Sequence, residues 1–122
     1  MKALVIRQPW AELIASDQKS IETRTWHTNY RGDLLIVAGK QLDREAAALF
    51  MLPEKSLVLG QAVAIVRVYA CEPMIKEHEA AAMCPVYPKA WAWSLANVRR
   101  IMPFPVKGRL GFFEVSLTGE QP

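Results

Sequence analysis

Within eight residues, Lys19-Ser-Ile-Glu22-Thr-Arg24-Thr-Trp26, the chain carries an ammonium, a carboxylate, a guanidinium and an indole. Inside a pocket, the carboxylate of Glu22 would accept from the exocyclic amine of a base or shuttle a proton. The Arg24 fork would hold an anion, and Trp26 would stack a base or seal one end of the fold. The stretch also reads as a β-strand, residues 19–26, in which alternate side chains share a face. Ser20, Glu22, Arg24 and Trp26 then point one way, and Ile21, Thr23 and Thr25 the other. The second face is β-branched and apolar enough to bury. The first is either a solvated surface or the wall of a polar pocket, and Lys19 stands either in solvent or at that pocket's edge.

Other polar groups belong to the same question. Arg7 and Gln8 lie where a strand passes into a helix, a place where polar groups often meet a ligand. Trp10, beside them, begins an apolar stripe with Leu13 and Ile14 and reads as core. Tyr30-Arg31-Gly32 is a turn in which Gly32 permits an unusual backbone angle. Tyr30 is a second candidate to stack a base, and Arg31 either reaches a phosphate or stays in solvent. Lys107-Gly108-Arg109 is a cationic loop whose glycine leaves backbone N–H groups open to an anion. Trp91 and Trp93 alternate with alanines and read as core.

Four strings taken in order, "IRQPWAELI", "K-x-I-E-x-R-x-W", "NYRG" and "PVKGRLGFFEV", resemble the ASCH family, a branch of the PUA-like small β-barrels. They spread over residues 3 to 117. The resemblance implies an RNA-binding or nucleotide-binding barrel. In PUA-like hydrolases that ASCH proteins resemble, the lysine matching Lys19 sits in the pocket and acts as nucleophile or base. Such a lysine needs a pKa lowered by burial or by a nearby cation, which Arg24 would supply. In the compact ASCH enzymes that deacetylate N4-acetylcytidine, threonine stands three residues after the lysine, where this chain has Glu22. Those enzymes also use a downstream glutamate, for which Glu77 and Glu79 are the nearest candidates.

The elements that must position these groups follow from pattern. At 122 residues, 52% hydrophobic and 22% charged, the chain has room for one domain with one core. We assign that domain to residues 1–118 and a flexible tail to residues 119–122. Residues 3–6 read as a short buried strand and 9–17 as an amphipathic helix opened by Pro9. The apolar run 34–38 reads as a central strand. A helix over 43–51 has Asp43 as its cap, and 57–71 reads as a long strand bent at Gly60. A short helix is expected over 75–83, a strand over 90–95, an irregular segment at Pro103 and Pro105, and a last strand over 111–117. Strands separated by two or three short helices make an α+β domain; closure into a small mixed barrel is what the resemblance adds.

Composition excludes some classes of function. No apolar run approaches the roughly 20 residues that span a membrane, and the first residues lack a secretion signal, so a cytoplasmic location is expected. Cys71 and Cys84 are then reduced thiols, with Cys71 a small buried hydrophobe. Neither they nor His27 and His78 have a metal-ligand spacing, so no metal or other cofactor is expected. No G-x-S-x-G motif stands in the chain. The net charge is +3, yet residues 80–113 hold five bases (Lys89, Arg99, Arg100, Lys107, Arg109) and no acid. Folded beside Arg7, Arg24 and Arg31, they would make one side electropositive and suited to phosphate.

The leading expectation is a cleft for RNA or a modified nucleoside or nucleotide. Glu22 and Arg24 form its floor, Lys19 its edge, and Arg7, Arg31 and Lys107 its phosphate contacts. A hydrolase on the same scaffold, with Lys19 and Glu22 as catalytic pair, is the rival. It would act on an amide of a modified cytidine or cleave RNA. A protein-interaction module is the third reading.

Overall fold

β1 (Lys2–Gln8) and β3 (Gly32–Leu42) lie side by side and parallel, with Ala3 opposite Leu35 and Ile6 opposite Ala38. The computed structural model describes residues 1–117; the tail expected over residues 119–122 lies outside them. Between these strands come α1 (Trp10–Ala15) and β2 (Ile21–Arg24). After β3 follow α2 (Arg44–Leu49), β4 (Gln61–Pro73), α3 (Glu79–Ala82), β5 (Trp91–Pro105) and β6 (Phe113–Glu114). One mixed sheet runs in the order β2-β5-β4-β3-β1-β6, antiparallel except for the β1–β3 pair. The fold is α+β, with three short α-helices.

The sheet is an open one, which corrects the expectation of a closed barrel. Its edge strands, β2 and β6, are four and two residues long. β6 reaches only Lys2 and Ala3 of β1. Residues 4–8 of β1 therefore have a strand on one side alone, and the sheet is barrel-like without a continuous ladder around it.

The apolar run of β3 explains its central place. Leu34, Ile36 and Ala38 pack into the main core with Leu4, Ile6, Ile14, Val66, Val68 and Trp93. Leu35 and Val37, on the opposite face, join Ala3 and Ala62 in a second cluster. A strand buried on both faces reads as a continuous apolar run rather than an alternation. Ile21 enters a third cluster with Met74, Ala82, Ala90 and Ala92. The strand expected over residues 19–26 is only Ile21–Arg24, however, and of its β-branched face Thr23 is half-buried and Thr25 exposed, both lining a cleft. Trp93 is fully buried and Trp91 packs against the same core.

Asp43 caps α2, its carboxylate accepting from Ala46 N–H at 3.0 Å. The helix expected over residues 75–83 is instead a 3₁₀ turn (Lys76–His78) followed by α3, which ends at Met83 with φ 58°. β4 begins one residue past Gly60 and runs to Pro73. β5 is much longer than the segment 90–95, and takes in both Pro103 and Pro105. Beyond Ser94 its outer edge has no strand beside it, so the missing proline N–H removes no ladder bond there. A register shift between Ala62 and Ala64 leaves Pro103 in a bulge. The last strand shrinks from residues 111–117 to β6.

Candidate functional site

The register of β2 on β5 sets the site. Glu22 pairs with Trp93 and Arg24 with Trp91. Directly opposed residues share a face, so the charged face of β2 is the one turned toward the main core. Glu22 is 7% exposed and Lys19 2%. The charged face is therefore the wall of an indentation.

That indentation is a cleft of about 590 Å³, within the range of sites that enclose a small molecule. β1 contributes Arg7, β2 contributes Glu22 and Arg24, and Trp10, Trp26 and Tyr87 bring aromatic surface. The chain just before β2 is held by Lys19 N–H on Leu13 O (2.9 Å) and Ser20 N–H on Ala81 O (3.0 Å). This fixes the start of the charged face against α1 and α3.

The Lys19 ammonium donates to Ala82 O, stands 3.7 Å from Glu22 Oε1 and lies 5.2 Å from the centre of the Trp10 ring. Burial pushes its pKa below the ordinary lysine value; Glu22 is the main opposing influence, and Arg24 adds only a small further lowering. The expected cation beside Lys19 is present, but desolvation dominates. Arg24 Nη2 stands 3.1 Å from Glu22 Oε2 and donates to Val5 O at 2.8 Å. Its Nε is buried without a partner among the described residues.

The remaining predicted residues divide. Arg7 lines the cleft, 4.0 Å from the Asp43 carboxylate. Trp26 lines it too, partly exposed, with edge contacts to Trp93 (4.7 Å) and Phe112 (5.4 Å). Gln8 is fully buried: its Nε2 donates to Val58 O and its Oε1 accepts from Glu12 N–H, both at 2.9 Å. That amide ties β1 to α1 and the β4 approach, and it does not line the cleft.

Tyr30, Arg31 and Gly32 lie away from the cleft. The Tyr30 phenol donates to Asp33 O, and the ring rests against Phe112 with the Lys2 ammonium 5.2 Å from its centre. Arg31 donates to Thr28 O and Tyr30 O. Gly32 has φ +135°, and a Cβ there would meet the Tyr30 oxygen at 3.1 Å. This glycine serves the turn. Lys107 and Gly108 line a second cavity, which shares Val5 and Arg24 with the cleft.

Sequence reasoning missed Trp10, Tyr87 and Cys84 as lining residues. Trp10 is half-buried, edge-on to Phe50 at 5.5 Å, and faces the cleft rather than lying wholly in the core. Its neighbours Arg7 and Gln8 at the strand-to-helix junction were the available signal. Cys84 and Tyr87 arrive from the loop after α3, and no local pattern announces them. Glu77 is exposed and Glu79 accepts from Val86 N–H; neither lines the cleft. Of the basic segment, Arg99 pairs with Asp33 (2.8 Å) and Arg100 with Glu12 (2.6 Å). Only Lys107 and Arg109 come near Arg24, through the second cavity.

The chain is thus an α+β domain: an open mixed sheet with three short helices and a charged cleft beside its first strand. Residues 4–105 match the ASCH domain, and the chain belongs to that family. Two crystal structures of ZmASCH from Zymomonas mobilis, of a serine-to-alanine and a tyrosine-to-phenylalanine mutant protein, have TM-scores of 0.63 and 0.61. Each shares 10% identity with this chain and covers 95% of it, over 88% and 90% of their own lengths. At that identity the likeness is one of fold. No curated protein matches the chain in sequence.

Proposed function

We propose that the cleft binds RNA, or a nucleoside or nucleotide, by its base. The observation that carries this reading is the meeting of Lys19, Glu22 and Arg24 in one hollow beside Trp10, Trp26 and Tyr87. A carboxylate held between two cations accepts hydrogen bonds from the N–H groups of a base edge, while the indoles offer stacking surface. Unstacked bases recognised this way belong to single strands, loops and ends. The free thiols of Cys71 and Cys84 fit a reducing compartment, and we place the protein in the cytoplasm. Among the described residues no helix is long and apolar enough to cross a membrane.

The test is a titration of short single-stranded RNAs at two salt concentrations, with wild type beside Arg24→Ala. Binding should weaken with salt and with the substitution. Affinity indifferent to both would remove the reading.

A hydrolase is the second reading, favoured by one observation: Lys19 is a buried amine with a lowered pKa. It would serve as nucleophile or base toward an amide on a modified cytidine or toward RNA, with Glu22 carrying the proton. Against it, the ammonium is already committed to Ala82 O and Glu22, which stabilise its charged form. Incubation with N4-acetylcytidine and with RNA, wild type beside Lys19→Ala, separates the readings: turnover lost with Lys19 favours the enzyme, binding without turnover the module. A protein-interaction role would gain if neither nucleotide nor RNA altered the Trp26 environment.

A further inference from the structure

The cations that line the cleft are already paired: Lys19 and Arg24 with Glu22, and Arg7 with Asp43. Lys40, Lys107 and Arg109 form no ion pair among the described residues, and all three line the second cavity. No Asp or Glu lines it. Its volume is about 590 Å³, and the wall dividing it from the cleft is made by Val5 and Arg24, which line both.

The way the loop over residues 106–111 lies down on β1 builds this cavity. A Cβ at Gly108 would stand 2.8 Å from Val5 Cγ2, and one at Gly39 would stand 2.9 Å from Val5 Cγ1. Val5 is thus clasped between two glycines, on an apolar floor with Leu4 and Val37. Val106 N–H on Gly60 O (3.1 Å) anchors the loop where Lys40 passes over Gly60. Lys107 and Arg109 also border a third hollow, containing Glu114, whose carboxylate already faces the Met1 ammonium (3.5 Å) and Lys2 (3.8 Å). Three like charges around one concavity repel each other until an anion enters.

We propose that this second cavity is a phosphate subsite, so that the ligand is a single-stranded RNA rather than a free nucleoside. The inference rests on the base-binding reading of the cleft: one base enters beside Glu22, and the phosphate of an adjoining nucleotide lies on Lys40, Lys107 and Arg109 across the Arg24 wall. A lone nucleoside would leave these cations without a counter-ion.

The probes are a mixed-sequence eight-residue single-stranded RNA, the four ribonucleosides and inorganic phosphate, titrated against wild type and the triple variant Lys40→Ala, Lys107→Ala, Arg109→Ala. All three positions are exposed, and an unchanged melting temperature checks the fold. The RNA should bind wild type at least tenfold tighter than any nucleoside. The triple variant should lose that advantage while keeping its nucleoside affinity. Its slope of log affinity against log salt should become shallower by about 0.7, the value for one neutralised phosphate of a single strand. Unchanged RNA affinity and slope in the triple variant, with nucleoside binding intact, would overturn the subsite alone. Absence of nucleoside binding in wild type would overturn the cleft reading beneath it. Inorganic phosphate displacing the RNA at equal concentration would reassign the cavity to free phosphate and overturn the strand assignment.

Discussion

The Arg24 guanidinium and the Val5 carbonyl lie 2.8 Å apart across a gap between two strands, β2 and β1, that are not neighbours in the sheet. The same nitrogen, Nη2, stands 3.1 Å from Glu22 Oε2, so one end of the guanidinium meets both the open edge of β1 and the floor of the cleft. One side chain stands where a closed barrel would carry a ladder. Fold stability and the shape of the site are therefore linked at this position.

Arg24→Ala should cost about 2–3 kcal/mol, because it leaves Val5 O without its donor and Glu22 with a single cation. Arg24→Lys should fall between, since an ammonium lacks the planar fork. Urea unfolding measures both. A loss below about 0.5 kcal/mol for the alanine variant would mean that the seam does not depend on this contact.

The burial of Lys19 should show in the pH dependence of stability. Its folded pKa lies below the ordinary 10.5, so between the two values the unfolded chain binds more protons at this group. Stability contributed by Lys19 then rises with pH through that window and is lowest where the amine is charged in both states. Unfolding free energies of wild type and Lys19→Met, compared through the alkaline range, should diverge in favour of wild type as pH rises. Parallel curves would show that the amine is not desolvated.

Trp10 and Trp26 should each serve both ligand contact and packing. Trp26 makes edge contacts with Trp93 and Phe112, and Trp10 packs edge-on to Phe50 beside the main core, so each alanine variant should lower stability by about 2 kcal/mol. Each should also weaken RNA binding, by roughly 1–3 kcal/mol for one stacked base. Calorimetric melting with RNA titration reads both. Equal RNA affinity for wild type and Trp10→Ala would take Trp10 out of the site.

Gly39→Ala places a methyl 2.9 Å from Val5 Cγ1, and Gly108→Ala places one 2.8 Å from Val5 Cγ2. Each should destabilise by about 1–3 kcal/mol through overpacking. Combining either with Val5→Ala removes the opposing methyl, so the double variant should lose less than the sum of the singles. Simple additivity in the double-mutant cycle would mean that the contact relaxes without cost.

Asp43→Ala removes the acceptor for Ala46 N–H and should cost about 1 kcal/mol. RNA affinity should rise modestly and depend more steeply on salt, because loss of Asp43 frees Arg7, which lines the cleft. Denaturant midpoints measure the first effect and titration the second.

What was legible in the chain was local. The alternation through residues 19–26 placed Glu22 and Arg24 on one face, and Asp43 announced its helix, because periodicity and capping act between near neighbours. The apolar run of β3 told of burial on both faces. The partner of the charged face was not legible. Only the antiparallel register of β2 on β5 turns Glu22 toward Trp93 and the interior. Trp10, Cys84 and Tyr87 meet there from separate segments, and Gln8 and Tyr30 are taken up by hydrogen bonds within the fold. The open seam is likewise a tertiary fact. It follows from two edge strands too short to pair, and a side chain from residue 24 bridges what the backbone leaves apart.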